Sequence, residues 1–115
     1  MNFETQRPSI NNSLKLIAKI FQECKAEYRI IGSMLIVALS NKVFRKIGDV
    51  DILLDMKNKD CVFQKLNNLG FSFEYKNIAF IRWLEAKKEG FLGLTFVLVG
   101  NFKLEYFTYK ISSWL

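Results

Sequence analysis

Ile30-Ile31-Gly32-Ser33-Met34-Leu35-Ile36-Val37-Ala38-Leu39-Ser40, the basic loop Asn41-Lys42-Val43-Phe44-Arg45-Lys46, and then Ile47-Gly48-Asp49-Val50-Asp51-Ile52-Leu53-Leu54-Asp55 decide how this chain folds. A short β-branched run, Tyr28 to Ile31, enters a Gly-Ser pair that opens a helix over Ser33 to Ser40, and a hydrophobic strand over Asp49 to Asp55 follows the loop. Residues two apart on a strand share a face, so Asp49 and Asp51 stand side by side. Two carboxylates held together repel unless a cation or a chemical task compensates, and a divalent metal is the natural cation. As acids flanking a turn, one aspartate is easily explained, but the apolar Ile52-Leu53-Leu54 that follows buries the strand too soon for the second. Gly32 and Ser33 supply the other half of such a site, because free N–H groups at a helix N-terminus cradle phosphate. Taken alone the pair is an ordinary strand-to-helix turn with Ser33 as a cap. Metal and phosphate together point to a nucleotide.

Gly-Ser at a helix start, followed by Asp-x-Asp on the next strand, resembles the signature of the DNA polymerase β-type nucleotidyltransferase superfamily, and its small single-domain members, the minimal nucleotidyltransferases, are nearest in length. The resemblance covers Tyr28 to Asp55. It implies an α+β fold, a small mixed sheet with helices packed mainly on one face. It also implies metal-dependent transfer of a nucleoside monophosphate from an NTP such as ATP to a hydroxyl acceptor. Asp49 and Asp51 would hold two Mg²⁺ ions, and Gly32 and Ser33 the outer phosphates. Arg45 matches the arginine that relatives carry before the Asp-x-Asp, whereas Ile47 stands where many of them have threonine. Active relatives add a third carboxylate from a neighbouring strand. The downstream candidates are Glu74, Glu85, Glu89 and Glu105, with Glu105 preferred because it interrupts the β-rich run Phe102 to Phe107. Without that acid, the alternative is a catalytically silent module of the same fold that binds nucleotide, RNA or a protein. The acceptor stays open among tRNA, a protein side chain, a small molecule and the substrate of a partner subunit.

The chain has 115 residues, enough for one domain over 1–115 and too few for two. Half the residues are hydrophobic and 11 are Phe, which supports a packed core. Seventeen basic against eleven acidic residues give a net charge of +6, favouring polyanionic partners such as nucleotides or RNA, although a surplus of lysine is also ordinary on soluble surfaces. There is no histidine, which removes Ser-His-Asp hydrolysis and His-ligated zinc chemistry and leaves carboxylates and metal. The longest apolar run falls far short of the roughly 18 residues a membrane span needs. The N-terminus also lacks the pattern of a secretory signal, so the expected compartment is the cytoplasm. Cys24 and Cys61 lack metal-ligand spacing and are expected to be buried free thiols.

Outside the central stretch, residues 1 to about 10 are expected to form a loose lead-in. Asn11 or Asn12 would then cap a helix with Leu14, Ile17, Ala18, Phe21 and Cys24 on its apolar face. The helix over 33–40 is almost wholly apolar and should be buried. Asp55 is expected at the surface. Asn58 starts a third helix that stops at Gly70. Strands follow over Phe71 to Tyr75 and Phe91 to Val99, then a Gly100-Asn101 turn and a final run to Tyr109. Ile78 to Lys88 fits a helix or a strand, and the meander favours the strand. Trp83 and Trp114 are expected in the core, with Trp114 also placed to cover a homodimer interface.

Overall fold

In the computed structural model, which describes residues 2–78 and 81–100, a 3-10 turn at Phe3–Gln6 leads into helix α1 (Arg7–Cys24). Strand β1 (Tyr28–Ile31), helix α2 (Ser33–Ser40), strand β2 (Asp49–Asp55) and helix α3 (Lys59–Asn68) follow. The chain continues through β3 (Ser72–Ile78), β4 (Ile81–Lys87) and β5 (Gly93–Val99). The five strands form one mixed sheet in the order β1-β2-β5-β4-β3, with β2 and β5 parallel and every other pair antiparallel. Within the ambiguous segment, Ile81–Lys87 thus run as a strand, the alternative that the meander favours. The Gly100-Asn101 turn, the run 102–109 with Glu105, and Trp114 fall outside the described residues.

Alternation along β2 divides the sheet. Val50, Ile52 and Leu54 are buried at one face with Leu94 and Phe96 of β5 and Leu84 and Ala86 of β4. Ile10, Ile17, Ile20 and Phe21 of α1, Met34 and Val37 of α2, and Val62 and Leu66 of α3 close the same core. The helices therefore cover one face, and the odd-numbered residues of β2 lie on the other.

Several expectations need correction. Helix α1 begins at Arg7, because Pro8 lacks an N–H and fits the first turn, and it ends at Lys25 in the left-handed conformation. Its buried stripe runs through Ile10, Ser13, Ile17, Ile20 and Phe21, and Ala18 is exposed. Ser13 is tolerated inside because its hydroxyl donates to Ser9 O and accepts the Leu92 amide. The residues expected to be loose are held instead: Glu4 and Arg7 form an ion pair, and Gln6 bonds across the fold to Ile47. Only Met34 and Val37 of α2 are buried, and Leu39 is 80% exposed, since the short helix crosses one sheet edge and has core on one side alone. Asp55 is buried rather than at the surface, because it caps the 3-10 turn Met56–Asn58 through the Lys57 amide. Cys24 and Cys61 form a disulfide between the end of α1 and the start of α3, with Cα atoms 5.9 Å apart; they are not free thiols, and neither is buried, Cys24 being half-buried and Cys61 exposed. Sequence spacing carries no information about a pairing made by helix packing.

Candidate active site

The site grows from Gly32. Its backbone, at φ 73° and ψ −153°, lies in a region open to glycine alone. A Cβ on Gly32 would also come within 2.7 Å of Asp51 Oδ2. The turn and the strand thus touch because residue 32 has no side chain. Ile31 pairs with Asp51 in the antiparallel β1–β2 ladder, so the start of α2 stands directly beside the aspartate.

Asp49 and Asp51 are on the sheet face opposite the helical core. Asp49 is exposed and Asp51 half-buried. Burial, and then the neighbouring Asp49 charge, push the Asp51 carboxyl above its usual value. Neither carboxylate has a hydrogen-bond or ion-pair partner among the described residues. Both line a cleft of about 240 Å³ with Ser33, Arg45 and Lys46. The basic loop thereby sets two cations and the Gly-Ser turn around two acids. Of the residues singled out in the sequence, Gly32, Ser33, Arg45, Asp49 and Asp51 meet at this cleft, and Lys42 is not among its walls.

Hard oxygen ligands side by side suit Mg²⁺, and two carboxylates with no other partner among the described residues fit an ion of that kind. They do so as a pair, because no group of three or more acidic, histidine or cysteine side chains that could hold a metal occurs among the described residues. On β5, the strand next to β2, Asp49 faces Gly93 and Asp51 faces Thr95, so no acid stands there. Glu85 of β4 pairs with Thr95, one strand beyond it in the same row as Asp51. Its Oε2 lies 3.9 Å from Lys76 Nζ.

Sequence reasoning passed over three positions that shape the site. A Cβ on Gly93 would collide with Asp49 Oδ1, so the glycine lets Asp49 lean over β5. A glycine opening a strand between Leu92 and Leu94 was a readable sign of such close approach. The other two anchor the basic loop. Gln6 accepts from Ile47 N at 2.7 Å and donates to Ile47 O at 2.8 Å. Glu4 accepts from Val43 N, and that bond, with Arg7 beside it, holds the Glu4 carboxyl below its usual value. Nothing local in the sequence marks these contacts, which span about forty residues.

No protein-family model and no curated protein matches the chain. Among solved structures it is similar to the lincosamide antibiotic adenylyltransferase LnuA, lincomycin-bound, at TM-score 0.66 and 26% identity over 77% of this chain and 55% of that one. It is also similar to terminal uridylyl transferase 4 from Trypanosoma brucei with bound GTP, at TM-score 0.52 and 12% identity over 81% of this chain and 30% of that one. The second likeness is one of fold alone. The fold is of the nucleotidyltransferase type. The chain spans about half the length of the adenylyltransferase. No helix among the described residues is long and apolar enough to cross a membrane.

Proposed function

We propose that this chain is the nucleotide-binding and catalytic domain of a metal-dependent nucleotidyltransferase that moves a nucleoside monophosphate from an NTP to a hydroxyl acceptor. The observation that carries this reading is the meeting of Asp49 and Asp51, on one sheet face and without a partner among the described residues, with the Gly32-Ser33 turn and two basic side chains around one cleft. Asp49 and Asp51 would hold Mg²⁺. Bound there, the metal supplies neutralisation of the triphosphate and a lowered pKa for an attacking hydroxyl. The N–H groups at the start of α2 and the Ser33 hydroxyl bind the outer phosphates, and Arg45 balances charge on the leaving group. In the transfer the acceptor oxygen bonds to the α-phosphorus as the bridge to the β-phosphate breaks. Pyrophosphate leaves with the electron pair, and the hydroxyl proton passes to water.

Glu105 is the proposed third carboxylate. A second reading, the silent binding module, is favoured by one observation: β5 offers Gly93 and Thr95 opposite the pair and no acid. Incubation with each labelled NTP, Mg²⁺ and a panel of acceptors, followed for pyrophosphate, separates the two. Release that stops with EDTA and in Glu105→Gln supports the enzyme. Metal-dependent NTP binding without release supports the module, and the absence of both overturns the proposal.

A further inference from the structure

Asp49 is a wall of two clefts. On its other side lies a larger one, about 470 Å³, bounded by Lys87, Lys88, Phe91 and Gly93. Its floor is Gly93, which cannot carry a side chain while Asp49 leans over it. The register explains what stands across that floor. Asp49 pairs with Gly93, and β4 pairs Ala86 with Leu94, so the next residue, Lys87, comes alongside Gly93 on the far side. Asp49 and Lys87 thus flank a bare glycine, one strand spacing each way, with Cα atoms about 10 Å apart.

The charges in this cleft are not equivalent. Lys88 is committed to the fold, with its Nζ donating to Leu69 O at 2.6 Å and lying 5.6 Å from the centre of the Phe91 ring. Glu89 is an exposed wall residue of opposite sign. Lys87 is exposed and its ammonium has no partner among the described residues, although its carbonyl accepts the Ser72 hydroxyl. An exposed ammonium carried on a strand, in the same row as Asp49 and across the bare Gly93 from it, is placed to receive an anion.

We propose that this second cleft receives the acceptor, and that Lys87 selects one whose hydroxyl is carried on a phosphate-bearing unit, with the phosphate at Lys87 and the hydroxyl over Gly93 toward Asp49. The inference rests on the function proposed above. It places donor and acceptor on opposite sides of Asp49, with the triphosphate between Ser33 and Arg45. An acceptor that is a neutral or amine-bearing small molecule gains nothing from Lys87. The phosphate can belong to a nucleic-acid end or to a small sugar phosphate.

The test uses the full chain with Mg²⁺ and compares fluorescent pentaadenylate with a free 3′-hydroxyl, ribose 5-phosphate, adenosine and lincomycin. Binding is read by anisotropy and competition, which need no turnover, and Mg²⁺–NTP binding is read in parallel by calorimetry. Pentaadenylate or ribose 5-phosphate should bind at least roughly tenfold more tightly than adenosine or lincomycin, the size of one charge-assisted hydrogen bond. Preference between the first two identifies the source of the phosphate. Lys87→Glu should erase this margin while leaving the NTP dissociation constant within about twofold, and Lys87→Arg should keep it. Equal binding of the neutral probes, or a Lys87→Glu effect on NTP as large as that on pentaadenylate, overturns the acceptor assignment alone. Loss of all metal-dependent NTP binding in the wild type overturns the proposed function, and this inference with it.

Discussion

Strand β2 carries acids at both ends of one face, and the two ends are treated differently. Asp55 is 5% exposed, and its carboxylate accepts the Lys57 amide as the cap of a 3-10 turn. Asp49 and Asp51, at the other end, have no donor from the described residues, and each leans against a glycine whose missing side chain makes room for it. The same residue type on the same face therefore serves structure at one end and is left unmatched at the other. A fold spends its own N–H groups on an acid it needs for stability, whereas an acid crowded against a like charge and given no donor by the described residues is a candidate for binding something from outside.

The contrast can be broken most decisively at Asp49 and Asp51. Replacing either with Asn should lower metal-dependent nucleotide binding or transfer by roughly a hundredfold or more, with no loss of melting temperature. Full activity in either variant, or unfolding of both, would remove the metal assignment. Gly93→Ala attacks the same end indirectly. By pushing Asp49 aside it should cost roughly ten- to a hundredfold in transfer, with circular dichroism unchanged, and wild-type rates would show that Asp49 need not lean over β5. At the other end, Asp55→Ala should cost about 1–2 kcal/mol in chemical denaturation, the usual value of a lost cap, and leave NTP binding within about twofold. A functional loss there with unchanged stability would erase the distinction.

The smallest effect is in pH. The Asp51 carboxyl is held above its usual value, so it costs nothing below the unfolded-state pKa, where it is protonated in both states. As pH rises through the native value, the folded protein must carry a charge its surroundings disfavour, and stability falls. Asp51→Asn should therefore melt slightly higher than wild type at neutral pH without metal, and the gap should close below about pH 4. A gap independent of pH would assign the gain to packing.

How much of this was legible in the sequence follows the range of the interactions. The bounds of β1, α2 and β2 were readable because β-branched runs, the Gly32 break and the Asp49–Asp55 pattern are local signals. The meeting of Gly32, Ser33, Arg45, Asp49 and Asp51 followed from the same stretch. The sequence gives no sign that Asp55 is buried, because its capping role belongs to a short turn with no periodicity of its own. The apolarity of α2 was clear, but exposure of Leu35, Ile36 and Leu39 depends on which elements pack on the helix. The Cys24–Cys61 pairing and the Gln6–Ile47 bonds join residues 37 and 41 positions apart and leave no local trace.

Those Gln6 bonds have a practical side. The carboxamide offers Ile47 one acceptor and one donor, as a neighbouring strand would, two residues ahead of Asp49. The residues ahead of Arg7 look dispensable to anyone trimming the protein for expression, yet Glu4 and Gln6 act as a clasp on the loop that carries Arg45 and Lys46. A truncation starting at Arg7 would keep every residue of the candidate site and release the strap that aims it, so weak nucleotide binding by such a fragment would report on the missing clasp rather than on the chemistry of the cleft.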